Sequence, residues 1–311
     1  RSALYFRYQH AYADGISIMR MFMAMTPQPH HIEYASKKKT TKKQKNNNAL
    51  SLIPKLAKST QEILLSSYDH KSLLKPYIWQ KLSTERVVRW SQAPVSIPEL
   101  KILCKEVGGG TTINDVLFSS LAGCLRRYCE EEGQPLQNDI TSCVWVSLQG
   151  LNIDPNKSKV EFGNNIGAVA LSLPITTTNI FDRLAGVKKT LGELKESTTP
   201  FVVNRILTVV GSFPSPIARI LWKWSTQKVT LSMSNVPGPQ TKTMFGHLQM
   251  EGITFVVPPQ GDIHLLVCIL SFDGRIYITV TADTTAVRDP LRMCHLFSEE
   301  LREFKEKVEK R

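Results

Sequence analysis

The segment IHLLVCILSFDGRIYITVTAD (263–283) constrains this chain more than any other. Two β-rich runs flank Asp273-Gly274. An Asp-Gly pair suits the two-residue turn of a tight hairpin, so the runs pair as neighbouring strands. The fold must therefore be built around a sheet. Further strands are expected at 86–97, 139–150 and 163–175, where apolar and β-branched residues cluster. VTLSMSNVPGPQ (229–240) reads as a strand running into a proline-fixed turn, and ITFVVPP (253–259) as a short strand.

Helices fall between these runs. PELKILCKEVGGG (98–110) has Pro98 near its start and Gly108 to Gly110 as its stop. The next begins at Thr112, which serves as N-cap, with Asp115 at the third position as in a capping box. Helical patterns also cover 49–67, 180–196 and a stretch opening at Asp289-Pro290 and running to the C-terminus. No internal repeat is visible. Strands and helices mix without strict alternation, so the expected class is α/β of the α+β type, a mixed sheet with helices packed on it.

The 311 residues suit about two domains, and 42% apolar content supports real cores. The chain starts at Arg1, and a strand at residue 3 would need a partner that is absent. A fragment lacking an N-terminal part is therefore expected, and no signal peptide is visible. Much of the +12 net charge comes from SKKKTTKKQKNNN (36–48). That tract reads as a solvated loop, or as a patch for anionic lipid. Nucleic acid is disfavoured because no aromatic residue interleaves the lysines. Six cysteines show no metal spacing and read as reduced core residues of an intracellular chain. No segment is a clear membrane span. The apolar stretch 201–224 carries two prolines, two tryptophans and Arg205, Arg219 and Lys223. It is either a pair of packed core helices or a surface that dips into a membrane interface.

The candidate chemistry lies near the start. In YFRYQHAYADGISIMRMF (5–22), Leu4, Phe6 and Tyr8 alternate with Tyr5, Arg7 and Gln9, the period of a strand. Ile16, Met19, Phe22 and Met23 then share a helical face. His10, Asp14 and Gly15 thus occupy a strand-to-helix turn, where a side chain can meet a ligand on a rigid backbone. One histidine four residues before an aspartate is weak evidence by itself, since single histidines are often structural. GxSxG, GxxxxGK[ST], GxGxxG and HExxH patterns are missing, which disfavours the chemistries they carry.

QHAYADG (9–15) resembles the HHxxxDG signature of the CoA-dependent acyltransferase superfamily, which includes chloramphenicol acetyltransferase. TINDVLFSSLAGCLRRY (112–128), GNNIGAVALSLPI (163–175) and SNVPGP (234–239), in that order, resemble the wax ester synthase/diacylglycerol acyltransferase family. The hairpin LSFDGRIYITVTAD (270–283) resembles that family's too. The resemblance implies a chloramphenicol acetyltransferase-like two-domain fold with mixed sheets. Residues 1–150 would be a truncated N-terminal acyltransferase region, most of the first domain being absent, and 151–311 the C-terminal domain. It also implies transfer of a fatty acyl group from acyl-CoA to diacylglycerol or a long-chain alcohol.

In that reading His10 is the general base and Asp14 completes the catalytic motif, facing away from substrate and pairing with an arginine to hold the turn. Gln9, Gly15, Asn114, Asp115, Ser234, Asn235, Pro237 and Gly238 would form the substrate site. No metal and no cofactor beyond acyl-CoA as co-substrate is implied. A membrane or lipid-droplet surface is implied as partner, with an intracellular, membrane-associated location at endoplasmic reticulum, droplet or plasma membrane. The sequence departs from the family pattern at Gln9, which replaces the first histidine. Gln can hydrogen-bond but not titrate. That departure and the lysine tract keep a non-catalytic lipid- or partner-binding protein open as the alternative, and an amide-forming condensation enzyme as a third reading.

Overall fold

The computed structural model of the chain describes residues 3–10, 12–25, 68–76, 83, 85–91, 93–135, 137–148 and 163–311. Its strands are β1 (Arg86–Trp90), β2 (Val95–Ser96), β3 (Ile140–Ser147), β4 (Ile166–Leu173), β5 (Leu231–Pro237), β6 (Met244–Phe245), β7 (Leu248–Gln249), β8 (Leu265–Phe272) and β9 (Arg275–Asp283). Its helices are α1 (Gly15–Ala24), α2 (Ile97–Val107), α3 (Ile113–Glu131), α4 (Ile180–Glu196), α5 (Thr199–Gly211), α6 (Ser215–Thr226) and α7 (Pro290–Glu309).

The hairpin read from sequence is β8–β9, closed at Phe272–Arg275. Asp273 (φ +49°) and Gly274 (φ +67°) take the positive φ values that such a turn demands. The main sheet runs β1-β9-β8-β5-β3-β4, with β2 also on β9. β5 lies parallel to both β3 and β8, and the remaining pairs are antiparallel. The sheet is therefore mixed, as expected. β8 is buried along almost its whole length, which suits the continuous apolar run LLVCIL. A central strand covered on both faces needs no polar alternation.

The principal core joins this sheet to α3, α4 and α7. α3 starts with the expected capping box: Thr112 N donates to Asp115 Oδ2 (2.7 Å) and Asp115 N to Thr112 Oγ1 (3.3 Å). α2 stops at Gly108. α7 opens at Asp289, whose carboxylate accepts from the N–H groups of Leu291 and Arg292. Inside the helical layer, Arg183 of α4 pairs with Glu300 of α7, each about 1% exposed. Arg183 also donates from Nε to the Ser119 carbonyl (3.1 Å), and Arg127 reaches the other Glu300 oxygen at 2.5 Å. A Cβ at Gly123 would overlap both the Glu300 carboxylate and the Arg183 guanidinium. Only glycine leaves room for this pair. A smaller cluster seats Ile16, Met19 and Met23 of α1 on Val236 and Leu270.

The six cysteines are all free. Burial pushes the Cys268 thiol up to about 12, as befits a core residue.

Two expectations change. Residues 3–9 form no strand, because no described strand pairs with them, and their side chains are exposed. A strand exists only where its backbone groups find a ladder. Residues 253–259 also form none: Pro258 and Pro259 lack the N–H that a ladder needs. One sheet spans residue 150, with β1 and β3 before it and β4, β5, β8 and β9 after. The basic tract 36–48 and the helical pattern 49–67 lie outside the described residues.

Candidate active site

The turn bearing His10 is held by a distant segment. Asp14 is fully buried and caps α1, its Oδ1 accepting from Ser17 N at 2.8 Å. Its other oxygen accepts from Asn165 N at 3.1 Å. Asp14 N donates to the Gly163 carbonyl (3.0 Å), which also accepts from Ser17 Oγ (3.1 Å). Asn164 Nδ2 donates to the His10 carbonyl at 2.5 Å. Four hydrogen bonds thus fasten 163–165, the approach to β4, across the His10–Asp14 turn. The described partners of the Asp14 carboxylate are backbone N–H groups. Cap and strap need two acceptors at once, and a carboxylate supplies both.

Gly15 starts α1 against β5, where an added Cβ would lie 3.0 Å from Val236 Cγ2. Phe6, Tyr8 and His10 follow one another on one side of their segment, with ring centroids 6.0 and 6.5 Å apart. Burial, with Asp14 nearby, raises the Tyr8 phenol above its ordinary range.

His10 lines a cavity of about 500 Å3 together with Asp14, Gly15, Ser234 and Asn235. The motif at the start of the chain and β5 therefore meet at one site. Asn235 Nδ2 donates to Asn114 Oδ1 at 3.1 Å, so the first turn of α3 fixes that wall. Asn114 and Asp115 support the site from outside the cavity, Asp115 being engaged in its cap. Pro237 and Gly238 shape the strand end without lining the cavity. Gly238 N donates to Ser271 Oγ (3.3 Å), and a Cβ there would strike the Ser271 carbonyl. Asp273 N donates to the Pro239 carbonyl (2.9 Å), tying this turn to the β8–β9 hairpin. Gln9 is exposed and also lies outside the cavity lining.

Sequence reasoning missed several lining residues. Trp145 and Trp222 stack at 6.2 Å, and Trp145 Nε1 donates to Ser232 Oγ at 2.9 Å. Asn164, Asn204 and Thr208 add polar groups, while Ile166, Leu207, Val257 and Leu266 add apolar wall. Asn164 lay in a motif already singled out, and its polarity at the head of an apolar strand was the available signal. The tryptophans gave none, since either could equally have filled a core. An apolar chamber with a few converging polar groups suits a greasy substrate with one polar reacting centre. Among the described residues, no three His, Cys, Asp or Glu side chains gather as a metal-holding group.

Mixed sheet, helical layer and histidine-lined cavity define a protein of the chloramphenicol acetyltransferase-like fold, shared by acyltransferases and condensation domains. The wax ester synthase/diacylglycerol acyltransferase of Marinobacter aquaeolei VT8 superposes with TM-score 0.62 at 17% identity, over 95% of this chain and 65% of that one. The epimerization domain of tyrocidine synthetase B gives 0.57 at 14% identity, over 96% and 68%. Wax ester synthase/diacylglycerol acyltransferase 2 of Arabidopsis thaliana is 25% identical over 95% of this chain and 67% of its own length. Residues 162–305 match the profile of the WS/DGAT C-terminal domain. Over these stretches the chain is similar to the wax ester synthase/diacylglycerol acyltransferase family. It spans about two thirds of the length of these relatives.

Proposed function

We propose that this chain is part of an O-acyltransferase that moves a fatty acyl group from acyl-CoA to diacylglycerol or a long-chain alcohol. The observation that carries the reading is the strapped turn, which holds His10 at the wall of an apolar cavity. An alcohol attacks poorly while it keeps its proton. His10 accepts that proton as the hydroxyl oxygen bonds to the thioester carbonyl. The tetrahedral centre collapses, the carbon–sulfur bond breaks, and the protonated imidazole returns the proton to the CoA sulfur. Ester and CoA thiol leave, with no acyl-enzyme and no further cofactor. Ser234 and Asn235 border the space where the substrates would meet.

Gln9 bears on the non-catalytic alternative. Its side chain lies outside the cavity lining, so losing the first motif histidine leaves the base in place, which favours the enzymatic reading. Because both organic substrates are greasy, the reading carries an intracellular, membrane- or droplet-associated location with it.

The test is turnover of labelled acyl-CoA with diacylglycerol or a fatty alcohol by the full-length protein. His10→Ala is expected to lower kcat by about 10²–10⁴, the usual contribution of a positioned base. Product formation at the parent rate in that variant would remove the mechanism.

A further inference from the structure

The helices α5 and α6 present an apolar face that nothing among the described residues covers. Phe201, Val209, Phe213, Ile217, Ile220 and Trp224 are between 37% and 69% exposed. A run of apolar side chains that dense marks a surface with a partner. These helices are 13 and 12 residues long, too short to cross a bilayer but suited to lying in its surface. Among the described residues no helix is long and apolar enough to cross a membrane.

Charge selects the partner. No Asp or Glu occurs from Ser197 to Gln227, whereas Arg205 and Arg219 stand exposed on the same two helices. Lys228 follows, itself buried, with its ammonium 4.0 Å from the Trp224 ring centroid. Tryptophan beside lysine or arginine is the composition of a membrane–water boundary. Cationic residues alone suit an anionic headgroup layer, each contributing attraction that salt screens.

The opposite side of the helices reaches the catalytic cavity. Asn204, Leu207 and Thr208 of α5 and Trp222 of α6 line it. α5 is pressed onto β4 at Gly167, where a Cβ would collide with the Pro200 carbonyl. One helix pair is therefore both a wall of the reaction chamber and an exposed apolar surface. We propose that α5–α6 seats the protein on an anionic phospholipid surface, so that greasy substrate passes from the bilayer along these helices into the His10 cavity. The purpose of the seat rests on the acyltransferase reading; the seat itself does not.

The experiment sediments full-length protein with phosphatidylcholine vesicles, with and without phosphatidylserine, and in parallel assays a short-chain acyl-CoA with a short-chain alcohol, both dissolved. Val209→Glu with Ile220→Glu changes two exposed positions outside the cavity. The parent is expected to bind the phosphatidylserine vesicles more tightly, and increasingly so at low salt. The double variant should bind about tenfold or more weakly, because two branched side chains no longer enter hydrocarbon. Its turnover of the dissolved pair should stay at the parent level. Arg205→Gln with Arg219→Gln should flatten the salt dependence.

Equal sedimentation of parent and double variant would overturn the proposal, as would a parent that ignores anionic vesicles. A double variant that melts well below the parent and loses turnover of the dissolved pair would assign the face to contact with the rest of the polypeptide instead, and overturn it equally. Vesicle binding without turnover of the dissolved pair by the parent would uphold the seat and remove the acyltransferase reading.

Discussion

Asp14 shows how much one side chain can settle. It caps α1 through Ser17 N and receives Asn165 N, while its own N–H meets the Gly163 carbonyl. It sits in the His10–Gly15 motif, and its contacts hold the turn. Asp14→Ala is expected to cost about 2–4 kcal/mol, the sum of a lost cap and a buried N–H left unmatched. Urea unfolding measures this, and turnover should fall with it because His10 rides on the same turn. A variant as stable as the parent but inactive would move Asp14 from holding the turn into the chemistry. The motif spacing identified this residue. Ser17 is within reach of a local capping rule, but Gly163 and Asn165 lie some 150 positions away, where no local rule could find them.

At the scale of elements, α3 is decided by two kinds of residue. Thr112 and Asp115 start it by rules that act within one turn, and both were legible. Gly123, in its middle, is there because Glu300 and Arg183 need the space. Glycine is ordinarily a poor helix residue, and alanine in its place would add about 1 kcal/mol of helix propensity. Here the sign reverses. Gly123→Ala is expected to destabilise by about 3–5 kcal/mol, the scale of breaking a buried ion pair. Calorimetric melting of the variant checks this, and an unchanged or raised Tm would mean that α4 and α7 separate freely from α3. The strand expected at 253–259 failed for a related reason. Ile253 and Phe255 pack against α1, β5 and β8, but two prolines interrupt the backbone donors.

For the whole molecule, two buried groups set the response to acid. His264 is 1% exposed, its Nδ1 lies 3.9 Å from Asp283 Oδ2, and neither ring nitrogen finds a hydrogen-bond partner among the described residues. Burial lowers its pKa against the pull of Asp283. Burial opposes ionisation of Asp283 too, but bonds from Thr285 and Ser83, then the Arg86 charge, outweigh it and lower its pKa. In both cases the unfolded state takes up its proton first as pH falls. Stability therefore drops on acidification, beginning near the ordinary histidine pKa of about 6.5 and steepening below about 4. Urea midpoints across this range measure the loss. His264→Phe should flatten the upper part of the curve and leave the lower part, and an unaltered curve would place the acid sensitivity elsewhere.

The amino-acid sequence by itself determined the devices whose physics is local. These are the Asp273-Gly274 turn, the caps at Thr112 and Asp289, the glycine stop after α2, and the spacing that sets His10 before a helix. Each depends on dihedral preferences or hydrogen bonds spanning a few residues. Tertiary structure alone decided that residues 163–165 clasp the histidine turn, that Trp145 and Trp222 meet in one wall, and that α5–α6 faces outward. Those outcomes follow from strand order, with β5 inserted between β3 and β8. Order in a sheet is fixed by which apolar faces can be buried together, a property of the assembled layers that no short window of sequence contains.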